Sequence, residues 1–444
     1  MTTQTTPVHA PHLRSVVLLF TLLAFSLLAM TLIWHLPLML WDHLDLVPIY
    51  QAWREGSLTA SEFWRIHDGS HLHVSAYAVL LWTTLLSDGR PWLDCLVSWA
   101  LLTFQAWMIL RIALVQTRSG VLPRGWWIAI LALALYPGHL ANLQWGWQVA
   151  VFISLLGAVA PIHFLTREVW RTWTNLTGVL LAGIGVLSFS TSLVVFPIAM
   201  VLIALRSELS LRRRVFETLP WILVLALLLQ WLGQAKPVDN LPLPAISTLV
   251  EYVLNYLGSG VLRFAENIAP YWAAIALLTG GWAAWRARNN PALRPWLALL
   301  VFGVGCACLT AVGRAGVFGT DHAFVQRYVS FSSLFWIGWL GTMLVAFHDA
   351  SALWRRMARP LLAVTLVFAT ANAVHLIKKA AVEHARAEQY ALNIRTNYPA
   401  LDAETLRLAY GDRAGAAPER LRALHAWGFA PFTEVPAQPA DQPH

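Results

Sequence analysis

Long apolar runs constrain this chain more than any other feature of its sequence. The first of them, Val16–Leu40, exceeds the roughly 20 residues that an α-helix needs to cross the hydrocarbon core of a bilayer. Together with it we count about twelve such runs, at residues 16–40, 73–87, 92–116, 124–137, 146–165, 174–188, 191–205, 216–233, 269–285, 294–312, 325–347 and 360–377. The sequence therefore predicts an all-α protein, a polytopic transmembrane bundle of about 12–13 spans.

The composition is that of a membrane protein rather than of a large soluble domain. Only 12% of the 444 residues are charged, and 58% are hydrophobic. Soluble proteins carry about twice that proportion of charge. The formal net charge of +8 is spread over loops, which indicates contact with anionic lipid rather than with nucleic acid. We expect a multi-pass protein of the inner (plasma) membrane, in contact with the lipid bilayer.

Arginine clusters give most of the runs a direction. Cytoplasmic loops carry an excess of Lys and Arg, and four loops, each two runs from the next, share such a cluster. The clusters are Arg167 and Arg171; Arg212, Arg213 and Arg214; Arg286, Arg288 and Arg294; and Arg355, Arg356 and Arg359. We assign them to the cytoplasmic face. The opposite face then receives segments 138–146, 189–191, 234–268 and 313–324 and the end of the chain.

The side on which the first loop lies is open at this point. If the runs 73–87 and 92–116 both cross the membrane, the first loop lies on the same side as Thr117–Arg124, which the charge rule makes cytoplasmic. If the short run 73–87 only dips into the surface, the first loop lies outside. Alternatively, Arg118 and Arg124 break the charge rule.

The chain divides into two predicted parts. Residues 1–378 form the transmembrane domain, and residues 379–444 form a C-terminal extramembrane tail with helices near 384–390 and 419–427. The tail is too small for an independent catalytic domain, and we expect it to pack on a membrane-proximal surface. Segments 46–56 and 61–67 of the first loop are predicted as short interfacial helices.

Two carboxylates follow the first apolar run, in the segment Trp41–Pro48. A carboxylate at the end of a membrane span is energetically costly, which indicates a functional role. Asp42 and Asp45 could activate an acceptor hydroxyl as a base, or hold a divalent metal such as Mg or Mn. Solvation of a helix end is the competing interpretation. Three histidines later in the loop add possible metal ligands: His67, His71 and His73.

Two further polar segments lie on the predicted outer face. The first, Tyr136–Gln148, contains Asn142, Gln144 and Trp145, and indoles with amides suit a sugar because they stack on its apolar face and bond its hydroxyls. An ordinary interfacial turn is the alternative.

The second of these segments, Gly313–Tyr328, combines glycines with Arg314 and Arg327. A guanidinium at the start of a span can bind a phosphate with two hydrogen bonds. Snorkelling of the arginines to lipid headgroups is the alternative.

These segments, in this order, resemble uncharacterised bacterial polytopic membrane proteins related to the GT-C glycosyltransferase superfamily. The matching features are Trp41 and Asp45; the polar segment with His71; Asn142–Gln148; Ser188–Pro197; Tyr256–Gly258; Gly313–Ala315 with Phe318, Gly319, Arg327 and Tyr328; and Arg407–Tyr410 with Phe432. The chain departs from the commonest pattern by having Ser70 and His73 around the histidine, and an Asp-x-x-Asp in place of an Asp-x-Asp spacing.

The resemblance implies an enzyme with a GT-C-like fold that moves a sugar from a polyprenyl-phosphate donor to a glycan, lipid or protein acceptor of the cell envelope. It gives the catalytic role to Asp45, with Asp42 second. It implies that the substrates are bound by His71, Asn142, Gln144, Trp145, Arg314, Arg327 and Tyr328.

Two other functions remain possible on the sequence alone. One is a transporter or flippase of a lipid-linked saccharide, which typically has internal repeats and charged residues at mid-membrane. We find no internal repeat. The other is a non-catalytic assembly protein of the envelope, whose aromatic residues bind a glycan or a partner.

Overall fold

The computed structural model describes residues 13–64, 66–67, 71–234, 243–348 and 352–433. These residues form eighteen α-helices and one pair of two-residue strands. The helices are α1 (Leu13–Ile33), α2 (Leu46–Arg54), α3 (Ala60–Trp64), α4 (Val74–Ser87), α5 (Trp92–Arg118), α6 (Trp126–Ala134), α7 (Leu140–Leu143), α8 (Val149–Leu165), α9 (Thr172–Val186), α10 (Val195–Ala204), α11 (Leu211–Gln234), α12 (Ile246–Leu262), α13 (Ala269–Arg286), α14 (Arg294–Phe318), α15 (Tyr328–His348), α16 (Ala352–Asn397), α17 (Ala403–Tyr410) and α18 (Ala417–Trp427). Antiparallel strands β1 (Ile66–His67) and β2 (His71–Leu72) pair in the first loop.

Eight helical stretches within the described part of the chain are long and apolar enough to cross a membrane: 13–33, 92–118, 126–143, 146–165, 211–233, 291–318, 328–347 and 358–397. Three shorter apolar helices lie at 74–87, 172–186 and 190–204. Each of the apolar runs in the sequence coincides with a helix, so the all-α, multi-pass membrane character is confirmed. A GT-C-like arrangement and a total of 12–13 spans stay predictions.

Helix α15 lies at the centre of the bundle, whereas α1 and α11 lie at its periphery. The most apolar window of α15 is 100% buried, against 22% for α1 and 17% for α11. Glycines on α15 permit this packing, because a Cβ at Gly341 would lie 2.1 Å from Cδ2 of Trp296 on α14. Helices in lipid associate through such small residues, since apolar burial alone gives little advantage there. The exposed apolar faces of α1 and α11 are the surfaces suited to lipid contact.

Both ends of α4 lie at the same end of the bundle. At its start, the Ser75 N–H donates to the Leu187 carbonyl, 3.1 Å away, just beyond α9. Near its end, the Thr83 hydroxyl donates to the Asp94 carboxylate at the beginning of α5. The 14 residues of α4 span only about 21 Å at 1.5 Å per residue. One helix, α5, therefore separates the first loop from the loop at 119–125, so these two loops lie at opposite ends of the bundle.

The bundle therefore has two chemically distinct ends. The loops that follow α5, α8, α10 and α13 carry the arginine clusters, and we call this the arginine end. The first loop, the α6–α8 connection, the α14–α15 connection and the chain after α16 lie at the other end, which we call the loop end. That the arginine end faces the cytoplasm, as the positive-inside rule predicts, stays a prediction.

The C-terminal tail packs on the first loop through an apolar cluster. Leu44 of the loop and Leu421 of α18 are both fully buried in it, and Phe429 is 5% exposed. A hydrogen bond from His384 Nδ1 to the His35 carbonyl, at 2.7 Å, ties the second half of α16 to the same loop. Helix α16 runs without interruption across residues 378 and 379. The division into domains at that point stays a prediction.

The apolar pattern of the sequence does not predict helix α12. Its Glu251, Tyr252 and Asn255 lower the apolar character of the segment, yet Tyr252 is fully buried and its hydroxyl lies 2.9 Å from His322 Nδ1. Gly258 lets the helix pack against the start of α13, because a Cβ there would lie 2.3 Å from the Ala269 carbonyl oxygen. Helix α12 is therefore held in place partly by polar contacts at the loop end, where a membrane helix usually has only apolar contacts.

Candidate functional site

A cavity of about 500 Å³ opens at the loop end, and we call it the Asn142 cavity. Five separate segments meet there: the first loop, the α6–α8 connection, the start of α15, α16 and the tail. Its lining residues are Leu36, Trp41, Asp42, Ala141, Asn142, Gln144, Trp145, Gln148, Val325, Gln326, Arg327, Glu383, Arg386, Tyr410, Gly411, Asp412 and Arg413. The volume is within the range of small-molecule sites.

Breaks in the α6–α8 connection bring its polar residues to this cavity. Helix α6 ends at Ala134, and Pro137 starts a 3-10 turn, 137–139, before the four-residue helix α7. A second 3-10 turn, 146–148, precedes α8. Gly146 is required at that turn, because a Cβ there would lie 2.7 Å from Oδ2 of Asp94. The chain thus runs across the loop end, with its amides and indoles directed along the cavity.

His43 lies below this turn as a neutral, buried side chain. Its Nε2 is 3.6 Å from Oδ2 of Asp94, a distance compatible with an ion pair. Burial lowers the pKa of His43 to about 3, and neither ring nitrogen has a hydrogen-bond partner among the described residues. We therefore treat the pair as a packing contact, since an imidazole so far from water does not take up a proton at neutral pH.

Asn142 connects α7 to the start of α15. Its Nδ2 donates to Ser330 Oγ at 2.7 Å and to the Arg327 carbonyl at 3.2 Å. Its Oδ1 has no partner among the residues that the structure describes. The side chain therefore has a fixed orientation and one unused acceptor beside Arg327.

Gln144 and Trp145 bring two more unpartnered polar atoms to the cavity wall. Gln144 is held by its carbonyl, which accepts the Leu36 N–H at 2.8 Å, while its Oε1 has no partner in the described chain. The Trp145 ring meets Trp41 edge-to-face at 5.0 Å, and its Nε1 is also without a partner there. A buried polar atom left unpaired costs about 1–3 kcal/mol, so these atoms favour a polar ligand.

Of the three arginines that line the Asn142 cavity, Arg386 and Arg413 form ion pairs with carboxylates, whereas Arg327 forms none with a described residue. Asp42 lies 3.4 Å from Arg413, and Arg386 lies 3.4 Å from Glu383. The Arg327 guanidinium is 5.8 Å from the Tyr328 ring centroid, and its buried Nε has no hydrogen-bond partner in the part of the chain that the structure describes. Among the described residues no carboxylate forms an ion pair with it. This cation is therefore the one best able to bind an anion in the cavity.

Arg314 and Tyr328 belong to a neighbouring aromatic cluster rather than to the cavity wall. Arg314 lies 5.4 Å from the Phe318 ring centroid, and the Tyr328 ring packs 4.8 Å from Tyr256. Both contact the region of His322. Burial, and then the positive charges of Arg327 and Arg314, lower the pKa of His322 to about 4. Arg314 therefore adds positive potential near the cavity without lining it.

Asp45 is enclosed by two arginines of the tail. Its Oδ2 accepts from Arg413 Nε at 3.0 Å, and its Oδ1 accepts from Arg420. The residue is 5% exposed and does not line the Asn142 cavity. Asp42, which does line it, has a side chain that is 21% exposed. Of the two carboxylates predicted from the sequence, Asp42 is thus the one that a ligand in the cavity can reach.

Of the three first-loop histidines predicted as possible metal ligands, only His73 has a described side chain, and it does not line the cavity. His73 is buried, and its Nδ1 donates to the Ser188 carbonyl at 2.6 Å. The side chains of His67 and His71 lie outside the described residues. Within the described part no three His, Cys, Asp or Glu side chains come together in a way that could hold a metal. The described residues therefore form no metal site with three or more such ligands.

The structure brings five of the predicted residues into one cavity: Asp42, Asn142, Gln144, Trp145 and Arg327. Sequence reasoning missed the contribution of the tail, which adds Tyr410 and Arg413 to the lining. Arg413 and Asp45 are 368 residues apart, and no local pattern links them. No family model, no curated protein and no solved structure matches this chain.

Proposed function

We propose that this protein is a membrane glycosyltransferase of the GT-C type, and that the Asn142 cavity is its active site. It would transfer a sugar from a polyprenyl-phosphate-linked donor to a cell-envelope acceptor on the outer face of the inner membrane. The observation that carries the proposal is the meeting, in one cavity, of the Asp42 carboxylate, two indoles, four amides and an arginine without a described carboxylate partner.

The lining suits both halves of a phosphate-linked sugar. The indoles of Trp41 and Trp145 offer apolar faces for stacking on the sugar. Oδ1 of Asn142 and Oε1 of Gln144 are acceptors for its hydroxyl groups. The guanidinium of Arg327 matches the geometry of a phosphate. The apolar surface of the neighbouring helices is suited to a polyprenyl chain.

The reaction that we propose needs one base and one anion site. The acceptor hydroxyl oxygen forms a bond to the anomeric carbon, and its proton passes to the carboxylate of Asp42. The bond from that carbon to the phosphate oxygen breaks, and polyprenyl phosphate leaves with the bonding electrons. Arg327 stabilises the negative charge of the leaving phosphate. The step is written with the protein groups that line the cavity.

One observation favours this proposal over a transporter. A flippase needs a path accessible from both sides near the midplane. Two cavities of about 500 Å³ in the described part of the chain lie at opposite ends of the bundle, and they share no lining residue. A non-catalytic assembly protein would use the same indoles and amides but would not need Asp42, so the test below separates the two.

The test uses a deletion strain that is complemented with single variants. We expect Asp42→Asn to lose the glycan product while the protein stays in the membrane at normal amount, and Arg327→Gln to reduce it by roughly 10- to 150-fold, the value of one hydrogen bond to a charged group. Glu404→Gln and Arg407→Gln are the matched controls, because these residues form an exposed pair with each other at 2.8 Å away from the cavity. Unchanged envelope glycans in the Asp42→Asn strain would show that the catalytic assignment is wrong.

A further inference from the structure

A second cavity, of about 510 Å³, lies at the arginine end, far from the proposed active site. We call it the Arg294 cavity. It is formed by the ends of α5, α8 and α10 and by the start of α14. Its charged and titratable lining residues are Arg111, His163, Arg167, Glu168, Arg206 and Arg294.

Positive charge dominates this cavity. Four guanidinium groups and one carboxylate line it, which gives the lining a net charge of +3 with His163 neutral. Arg206 is paired with Glu208 at 2.8 Å, outside the lining, and Glu208 also interacts with Arg294. Arg111 and Arg167 form no ion pair with a carboxylate of the described chain. Like charges held around one cavity repel each other, and an anion between them removes that repulsion.

The walls of the Arg294 cavity are fixed by hydrogen bonds. Arg206 is 5% exposed, and its Nε donates to the Leu165 carbonyl at 3.1 Å. On the opposite wall, Gln116 Nε2 donates to the Ala292 carbonyl at 2.8 Å, and its Oε1 accepts from Trp296 at 2.7 Å. Arg206 and Gln116 are therefore fixed parts of the wall, and the exposed Arg111 and Arg167 lie at its opening.

Two further polar features belong to the wall of this cavity. Nδ1 of His163 is buried and has no hydrogen-bond partner among the described residues. The start of the 25-residue helix α14 lies in the same wall, and the positive end of a helix dipole favours anions. At the rim, Val115 is 50% exposed and Val169 is 67% exposed. The cavity thus combines a polar, cationic interior with an apolar edge.

We propose that the Arg294 cavity binds a phosphate group, carried either by an anionic phospholipid or by a free phosphate compound. Guanidinium groups bind phosphate oxygens in pairs, and basic pockets between membrane helices at the cytoplasmic side take lipid headgroups. The exposed valines at the rim suit an acyl chain. The site does not depend on the proposed glycosyl transfer, since it shares no residue with the Asn142 cavity.

The experiment measures binding to the full-length, delipidated protein in detergent. Native mass spectrometry with dioleoyl phosphatidylglycerol gives the stoichiometry and the dissociation constant, and inorganic pyrophosphate is tested in parallel. The site variant is Arg111→Gln with Arg294→Gln. The matched control is Arg118→Gln with Arg288→Gln, which removes the same charge from exposed residues on the same face outside the cavity.

We expect one tightly bound anion per protein, and at least about tenfold weaker binding in the site variant than in the control. Loss of the lipid in the site variant identifies a lipid site, and loss of pyrophosphate alone identifies a soluble phosphate ligand. Equal binding by the two double variants, or no saturable binding by the wild-type protein, would overturn the proposal. If the site variant has a lower melting temperature without ligand, Arg111→Gln alone replaces it, because that side chain is exposed.

Discussion

Replacing Asp45 should release the C-terminal tail from the first loop. In the native protein this carboxylate accepts hydrogen bonds from Arg413 and Arg420. Hydrogen bonds to charged groups contribute about 1.5–3 kcal/mol each. The side chains of the two arginines are 19% and 17% exposed, so water replaces part of what is lost. We add the contributions of the two hydrogen bonds and reduce the sum for this solvent exposure. On that basis we expect Asp45→Ala to weaken the docking of the tail by about 3 kcal/mol.

Hydrogen exchange of the full-length protein measures this effect directly. Amides of α18, such as those of the buried residues Leu421 and Leu424, exchange when the tail opens. A loss of about 3 kcal/mol corresponds to exchange that is roughly 100-fold faster. Amides of α15, at the centre of the bundle, serve as the internal control and should keep their rates.

A double-mutant cycle tests whether the effect comes from the ion pair. If Asp45 and Arg420 interact as the structure places them, the double alanine variant should be about 1.5 kcal/mol less destabilised than the sum of the two single variants. Additivity within about 0.5 kcal/mol, or α18 exchange that changes less than about threefold in Asp45→Ala, would refute the reasoning that Asp45 anchors the tail.

Three further outcomes follow from the geometry. Gly146→Ala should lower the melting temperature and destabilise the protein by about 1–3 kcal/mol, because the new Cβ would lie 2.7 Å from Oδ2 of Asp94; an unchanged melting temperature would mean that the turn can move. Because burial lowers the pKa of His43 from 6.5 to about 3, the unfolded chain binds more protons below pH 6.5, and the free energy of unfolding should decrease as the pH falls from 6.5 towards 3; His43→Gln should reduce that decrease, as melting temperatures at pH 7 and pH 5 will show. Single cysteines at the exposed positions Glu55 and Asp321 should react with an impermeant maleimide from the same side of the membrane, and labelling from opposite sides would contradict the shared loop end.

The sequence predicts those helices whose position follows from the length of an apolar run alone. Each long apolar run became a helix, because a segment of that kind is stable only when its backbone is internally hydrogen-bonded in an apolar medium. The path of α4 was not predictable from the sequence. Its 14 residues are too few to span a membrane, yet the segment is apolar enough to lie inside one. Its contacts with Leu187 and Asp94 show that both of its ends lie at the loop end. Helix α12 escaped prediction because Glu251 and Asn255 interrupt its apolar pattern.

The candidate site was predictable in part. Asn142, Gln144 and Trp145 are adjacent in the chain, so their shared position follows from one local turn. Their meeting with Arg327 depends on the hydrogen bond from Asn142 to the Arg327 carbonyl, across 185 residues, and a single sequence carries no sign of it. The pairing of Asp45 with the tail is hidden for the same reason. Polar residues at span ends mark a site, but their partners are set by the packing of the bundle.

The most direct test of the proposed activity is the release of polyprenyl phosphate from lipid-linked sugars. The purified protein is incubated with lipid-linked sugars extracted from the envelope of its own cells, together with envelope acceptor, and free polyprenyl phosphate is measured. We predict release by the wild-type protein and by Glu404→Gln, loss of release with retained binding of the lipid-linked sugar in Asp42→Asn, and weakened binding in Arg327→Gln. Release by Asp42→Asn at the wild-type rate, or no release by the wild-type protein, would contradict the account.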